Sequence, residues 1–155
     1  MIKINVITKS NNWLNFIKRP NYYLDKKIEK LNSKVKEFKK NQIFCSLLLS
    51  GSKEIKNLNK KFRKKNKVTD VLSFPFYTKK ELKTKLKVER EIYLGDIIIN
   101  IKKIRKKNNK KNFRLEFDRL WIHGLVHLFG HDHKIDKDFK KMLYIEKKYF
   151  DIING

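Results

Sequence analysis

Residues 113–133 read FRLEFDRLWIHGLVHLFGHDH, and this stretch decides both the fold and the chemistry. Phe113, Phe117, Leu120, Trp121, Leu125 and Leu128 recur at three- and four-residue spacing, which predicts a helix with one apolar face until Gly130 ends it. All four histidines of the chain fall on its second half and just beyond: His123, His127, His131 and His133. His123 and His127 stand four residues apart, so their imidazoles leave the same helix face about one turn apart. That spacing lets two ring nitrogens reach one zinc ion at ~2.0–2.1 Å. A glycine at the helix end can turn the chain back, so that a histidine beyond it supplies a third bond.

Both His131 and His133 follow the turn, and position alone favours His133, because two residues of return are easier than an immediate reversal. Asp132 between them reads first as a turn residue and second as a carboxylate that fixes an imidazole tautomer. Three neutral imidazoles with one open position describe a catalytic rather than a closed structural zinc site. Zinc in such a site lowers the pKa of bound water and polarises a carbonyl or phosphoryl oxygen. Position 124 is glycine, where zinc peptidases of the His-Glu-x-x-His type carry their general base, and this counts against a peptidase.

Working outward from the histidines, residues 136–150 predict a last helix with Phe139, Met142, Leu143, Ile145, Tyr149 and Phe150 turned inward. Upstream, residues 102–111 are so rich in lysine that they read as a solvated helix or loop face. Residues 92–99 form the most buried strand, 71–74 a strand stopped by Pro75, and 78–90 a charged, mobile loop. Ser52 is the expected N-cap of a helix whose face is Ile55, Leu58 and Phe62. Residues 43–49 and 2–7 predict two more strands, and 21–40 a helix through Leu24, Ile28, Leu31, Val35 and Phe38. Strands interspersed with helices around a small sheet give an α+β or α/β fold, here taken as a single α+β domain over residues 1–155.

The 155 residues suffice for one core without disulfides, and the single cysteine, Cys45, excludes a disulfide framework and a cysteine-based zinc site. No apolar run approaches the ~18 residues of a membrane span, and the start lacks a signal peptide's long apolar stretch, so a cytoplasmic protein is expected. The net charge of +24 suggests nucleic acid as a partner. It is discounted, however, by composition: 34 of the 40 basic residues are lysine, isoleucine and asparagine are abundant, and alanine is absent. Those are the preferences of AT-rich codons.

A second group of interest is LNKKFRKKNKVTDVLSFP, residues 58–75. Arg63 stands out within it, since a guanidinium can fork onto phosphate oxygens and offset developing negative charge. Thr69 and Asp70 read as caps of the turn into the following strand.

Taken together, these blocks resemble the YbeY family, the bacterial rRNA maturation factor and single-strand-specific metallo-endoribonuclease. The resemblance rests on Leu58-Asn59, Phe62-Arg63 and Thr69 to Pro75; on Leu94 to Ile97; and on His123-Gly124, His127-Leu128, Gly130 and Asp132-His133, with Met142 and Glu146 fitting the closing helix. It implies a small mixed sheet packed with helices, and one zinc per chain held by His123, His127 and His133 at the end of a helix in the C-terminal half. It further implies that Arg63 is required, through RNA phosphate, and that the protein acts on small-subunit rRNA 3′ ends and in ribosome quality control. The partners so implied are single-stranded RNA, the small ribosomal subunit and its proteins. Where such proteins usually carry tyrosine, this chain has His131, an alternative ligand. Two other readings remain at this stage: another zinc hydrolase, and a zinc-containing ribosome-assembly factor without catalysis.

Overall fold

The computed structural model describes residues 1–155 as a four-stranded mixed sheet with helices on both faces. The strands are β1 (Ile2–Thr8), β2 (Gln42–Ser50), β3 (Val71–Pro75) and β4 (Glu91–Asn100). The helices are α1 (Pro20–Lys34), α2 (Ser52–Arg63), α3 (Lys79–Val88), α4 (Lys110–Leu128) and α5 (Asp136–Asn154). The sheet order is β1-β2-β4-β3, with β1, β2 and β4 parallel and β3 antiparallel at the edge beside β4. The α+β class and the small mixed sheet are as the sequence indicates.

The parallel strands must bury one face under their crossover helices, and their alternation shows it. Ile43, Cys45, Leu47 and Leu49 of β2 enter one core with Leu24, Ile28 and Leu31 of α1 and Phe117, Trp121 and Leu125 of α4. On the other face, Ile55 of α2 packs with Leu72 and Ile98 in a smaller cluster. Strand β4 changes parity midway. Phe44 pairs with Tyr93 but Ser46 with Asp96, so β4 carries one extra residue, and the core-facing set passes from Ile92 and Leu94 to Ile97 and Ile99. Gly95 accommodates this bulge at φ +133°, with Phe74 O so close that a Cβ would lie 2.1 Å from it.

Four expectations need correction. Residues 78–90 are not a mobile loop: most form α3, begun by a capping box in which Thr78 Oγ1 accepts from the Glu81 N–H and Glu81 accepts from the Thr78 N–H. Its apolar stripe is only Leu82 and Leu86, which a run of lysines obscures. The helix over 21–40 stops earlier, at Lys34, where extended Val35 leads into a 3₁₀ turn. Ser52 is the first residue of α2 and Gly51 its N-cap; Ser52 Oγ instead accepts from Asn100 Nδ2 at 3.0 Å. In α5, Met142 is buried, but Phe139 and Leu143 are 43% and 47% exposed, because α5 packs chiefly against α1 and α4 and leaves that stripe uncovered.

One buried group escaped the periodicity reading. Asp118 of α4 is fully buried, yet accepts from Tyr23 Oη and Trp121 Nε1 at 3.0 Å and pairs with Lys27 Nζ at 3.1 Å. These partners replace the hydration that the carboxylate gives up. The network ties α1 to α4, the helix that carries the histidines.

Candidate metal centre

The site grows out of α4. Gly124 lies on the helix face turned to the sheet: a Cβ there would sit 2.6 Å from Ile97 Cγ2 and 3.2 Å from Ser73 Oγ, which donates to Gly124 O at 3.2 Å. The missing side chain therefore lets α4 approach β3 and β4 closely. A glutamate at 124 would run into the sheet, so this position offers no place for a peptidase-type base.

One helix face away, His123 and His127 stand with ring centroids 4.6 Å apart and planes nearly perpendicular. The helix then ends in a complete Schellman turn: Gly130, at φ +89°, donates to His127 O and His131 N–H donates to Val126 O. The return carries the His133 ring to 5.3 Å from that of His127 and 6.3 Å from that of His123. His131 joins none of these ring pairs; its half-buried imidazole has its pKa lowered by burial and by the charges of Lys79 and Lys141.

The tightest set of donors is His127, Asp132 and His133, whose ligand atoms lie within 4.8 Å of one another. Asp132 Oδ1 accepts from the His133 N–H at 2.7 Å and lies 3.4 Å from His133 Nδ1, so it acts both as turn residue and as a brace on that imidazole. His123 stands slightly outside this set, its Nδ1 2.7 Å from Glu146 Oε1 of α5. That hydrogen bond leaves Nε2 as the nitrogen turned free. Burial, with the neighbouring His123 adding to it, lowers the His127 pKa, which keeps this ring neutral and its lone pair available near neutral pH. Imidazoles plus one carboxylate are a donor set that suits zinc.

Arg63 ends α2, on the sheet face opposite α4, and its side chain is exposed with no hydrogen bond or ion pair. The structure does not bring it into contact with the histidines. Glu146 is the functional candidate for which spacing gave no role; the family resemblance marked it only as fitting the closing helix.

A mixed-sheet α+β domain with imidazoles gathered at the end of a buried helix defines a class of metal-site protein, and the comparisons place the chain within one family. The model of the family described as endoribonuclease YbeY matches residues 10–154. The chain is 41% identical over 155 residues to the endoribonuclease YbeY of Pelagibacter ubique (strain HTCC1062), covering 99% of this chain and 97% of that protein. With the endoribonuclease YbeY of Thermodesulfovibrio yellowstonii it shares 38% identity over 127 residues, covering 80% and 73%. Among solved structures, the solution structure of TM1509 from Thermotoga maritima matches with a TM-score of 0.58 and 27% identity, over 99% of this chain and 89% of that one. The chain belongs to the YbeY family.

Proposed function

We propose that this protein is a zinc-dependent endoribonuclease that cuts single-stranded RNA, and that residues 1–155 work as one catalytic domain. The observation that carries the reading is the gathering of three imidazoles around the Gly130 turn in a chain whose relatives are named endoribonucleases. In this reading His123, His127 and His133 hold one zinc ion. Glu146 fixes the tautomer of His123, and Asp132 aims His133. Bound zinc supplies a Lewis acid for a phosphoryl oxygen and a water of lowered pKa.

The remaining work falls to the protein. His127, held neutral by burial, keeps its nitrogen free for the metal instead of a proton. Arg63, exposed at the end of α2, is assigned to a backbone phosphate of the bound RNA away from the histidines, where its guanidinium can fork onto the phosphate oxygens. The process served is the maturation of small-subunit rRNA 3′ ends and ribosome quality control, in the cytoplasm, with the small subunit and its proteins as partners. No helix here is long and apolar enough to cross a membrane.

Metal content of untagged protein, measured by elemental analysis for the wild type and His133→Ala, tests the reading when the same samples are offered single-stranded RNA. About one zinc per chain, lost together with cleavage in the variant, supports it. Zinc without cleavage shifts the function to a ribosome-assembly factor, and absence of zinc overturns the metal centre.

A further inference from the structure

We propose that single-stranded RNA is led to the metal centre along a groove from Glu146 past Arg119 to Lys103, Arg105 and Lys106. The proposal rests on the ribonuclease reading above and adds where the strand lies. Two surface cavities meet at Arg119. One, about 390 Å³, is walled by Ile122, Leu143 and Phe150 and includes Glu146, the partner of His123. The other, about 560 Å³, is walled by Thr69, Asp70, Lys103, Arg105 and Lys106.

Arg119 precedes His123 by four residues, so both leave the same face of α4, one turn apart. Its guanidinium carbon lies 4.5 Å from the centroid of the Phe150 ring, which holds the group in place while leaving its N–H edges to solvent. The acids along the groove are engaged elsewhere. Glu116 accepts from the backbone N–H groups of Arg105 and Lys106, each at 3.1 Å, and so shapes the loop that presents them. Asp70 accepts from the Val71 N–H, Asp151 pairs with Lys147, and Glu146 holds His123. Lys103, Arg105, Lys106 and Arg119 form no ion pair. Their charges are free for phosphate.

A net charge of +24 would coat any face, so charge alone selects nothing. Arginine does select: only six are present among 40 basic residues, and two of them, Arg105 and Arg119, line this groove. Beside them lies apolar surface: Leu143 is among the exposed large apolar side chains and Phe150 is half-buried, with buried Ile122 beneath them. A basic track next to apolar surface suits an unpaired strand, whose phosphates take the cations while its bases meet the wall; in a duplex the bases are turned inward.

The test is binding of a short fluorescent single-stranded RNA over a salt series, with chelator present to suppress cleavage. The Arg105→Gln/Arg119→Gln double variant is compared with Lys36→Gln/Lys39→Gln, an equal charge loss just before β2, at the end of the sheet opposite Lys103. The groove variant should bind about tenfold more weakly, with a salt slope shallower by ~1.4, about 0.7 for each phosphate no longer neutralised. The control should stay within about twofold of wild type, as expected of charges that touch no phosphate. Equal losses in both variants, or normal binding by the groove variant, overturn the groove while leaving the nuclease reading intact. Failure of the wild type to bind the RNA overturns both. Polyglutamate held in place of RNA, with the same dependence on Arg119, assigns the groove to an acidic protein instead. Should removal of the Arg119–Phe150 stacking unfold the double variant, Arg105→Gln alone, an exposed side chain, still reads out a slope shallower by ~0.7.

Discussion

Glu146 Oε1 and His123 Nδ1 meet at 2.7 Å across the α4–α5 interface, twenty-three residues apart in sequence. A carboxylate in that place fixes which imidazole nitrogen carries the proton and how the ring is turned, and raises its strength as a donor. Glu146→Gln keeps the shape and loses the charge. Its zinc affinity, followed by competition with a chromophoric chelator, should fall about 10- to 100-fold with the melting temperature of the metal-free protein nearly unchanged. An unaltered affinity would mean that Glu146 braces the helices and nothing more.

Gly130 stands at φ +89°, and a Cβ on it would lie 2.9 Å from Lys79 Cβ. Gly130→Ala should therefore cost about 1–2 kcal/mol from backbone strain and displace His133. Zinc affinity and denaturant unfolding should weaken together, which separates this change from Glu146→Gln.

Gly124→Ala would press a methyl group against Ile97 Cγ2, 2.6 Å away, in a core already filled. A loss of about 1–3 kcal/mol is expected in urea unfolding. Ile97→Ala removes the atoms in conflict, so the double variant should lose less than the sum of the two single losses.

Helix α3 depends on its first turn. Thr78→Ala removes the hydroxyl that accepts from the Glu81 N–H and should cost about 1 kcal/mol. The Thr78 backbone N–H, with the Thr78 side chain adding to it, holds the Glu81 carboxyl below its ordinary value of 4.5. The folded protein thus binds this proton less readily than the unfolded chain. The contribution is complete above that ordinary value and is lost as pH falls through the folded one. Glu81→Gln should flatten this part of the stability profile in acid; a profile identical to wild type would remove the cap from the account.

Cys45 is buried in β2, and burial, with Asp96 adding to it, pushes its thiol up to about 12. No thiolate is present near neutrality, so a disulfide reagent should leave the native protein unmodified and react once per chain in denaturant. Rapid labelling of the native protein would show that β2 opens locally.

Local pattern was enough for much of this molecule. The apolar spacing from Phe113 to Leu128 determined α4 and the side of it that is buried, because a helix of fixed period has only one face to give the core. The pairing of His123 with His127 and the turn at Gly130 follow from the same periodicity. Short range also explains the misses. Leu82 and Leu86 were too few to show through the lysines of α3, although Thr78 and Glu81 carried its start signal in plain view. The inward stripe drawn for α5 erred at Phe139 and Leu143, since periodicity defines a face but not what covers it.

What only the tertiary structure decided are the meetings between distant segments. The bond from Glu146 to His123 and the bulge at Gly95 each depend on packing across elements. So does the separation of Arg63, on the α2 face of the sheet, from the histidines on the other. Spacing along a chain sets which side chains share a helix face. Which faces then meet is set by the order of strands in the sheet and by the burial that this order allows.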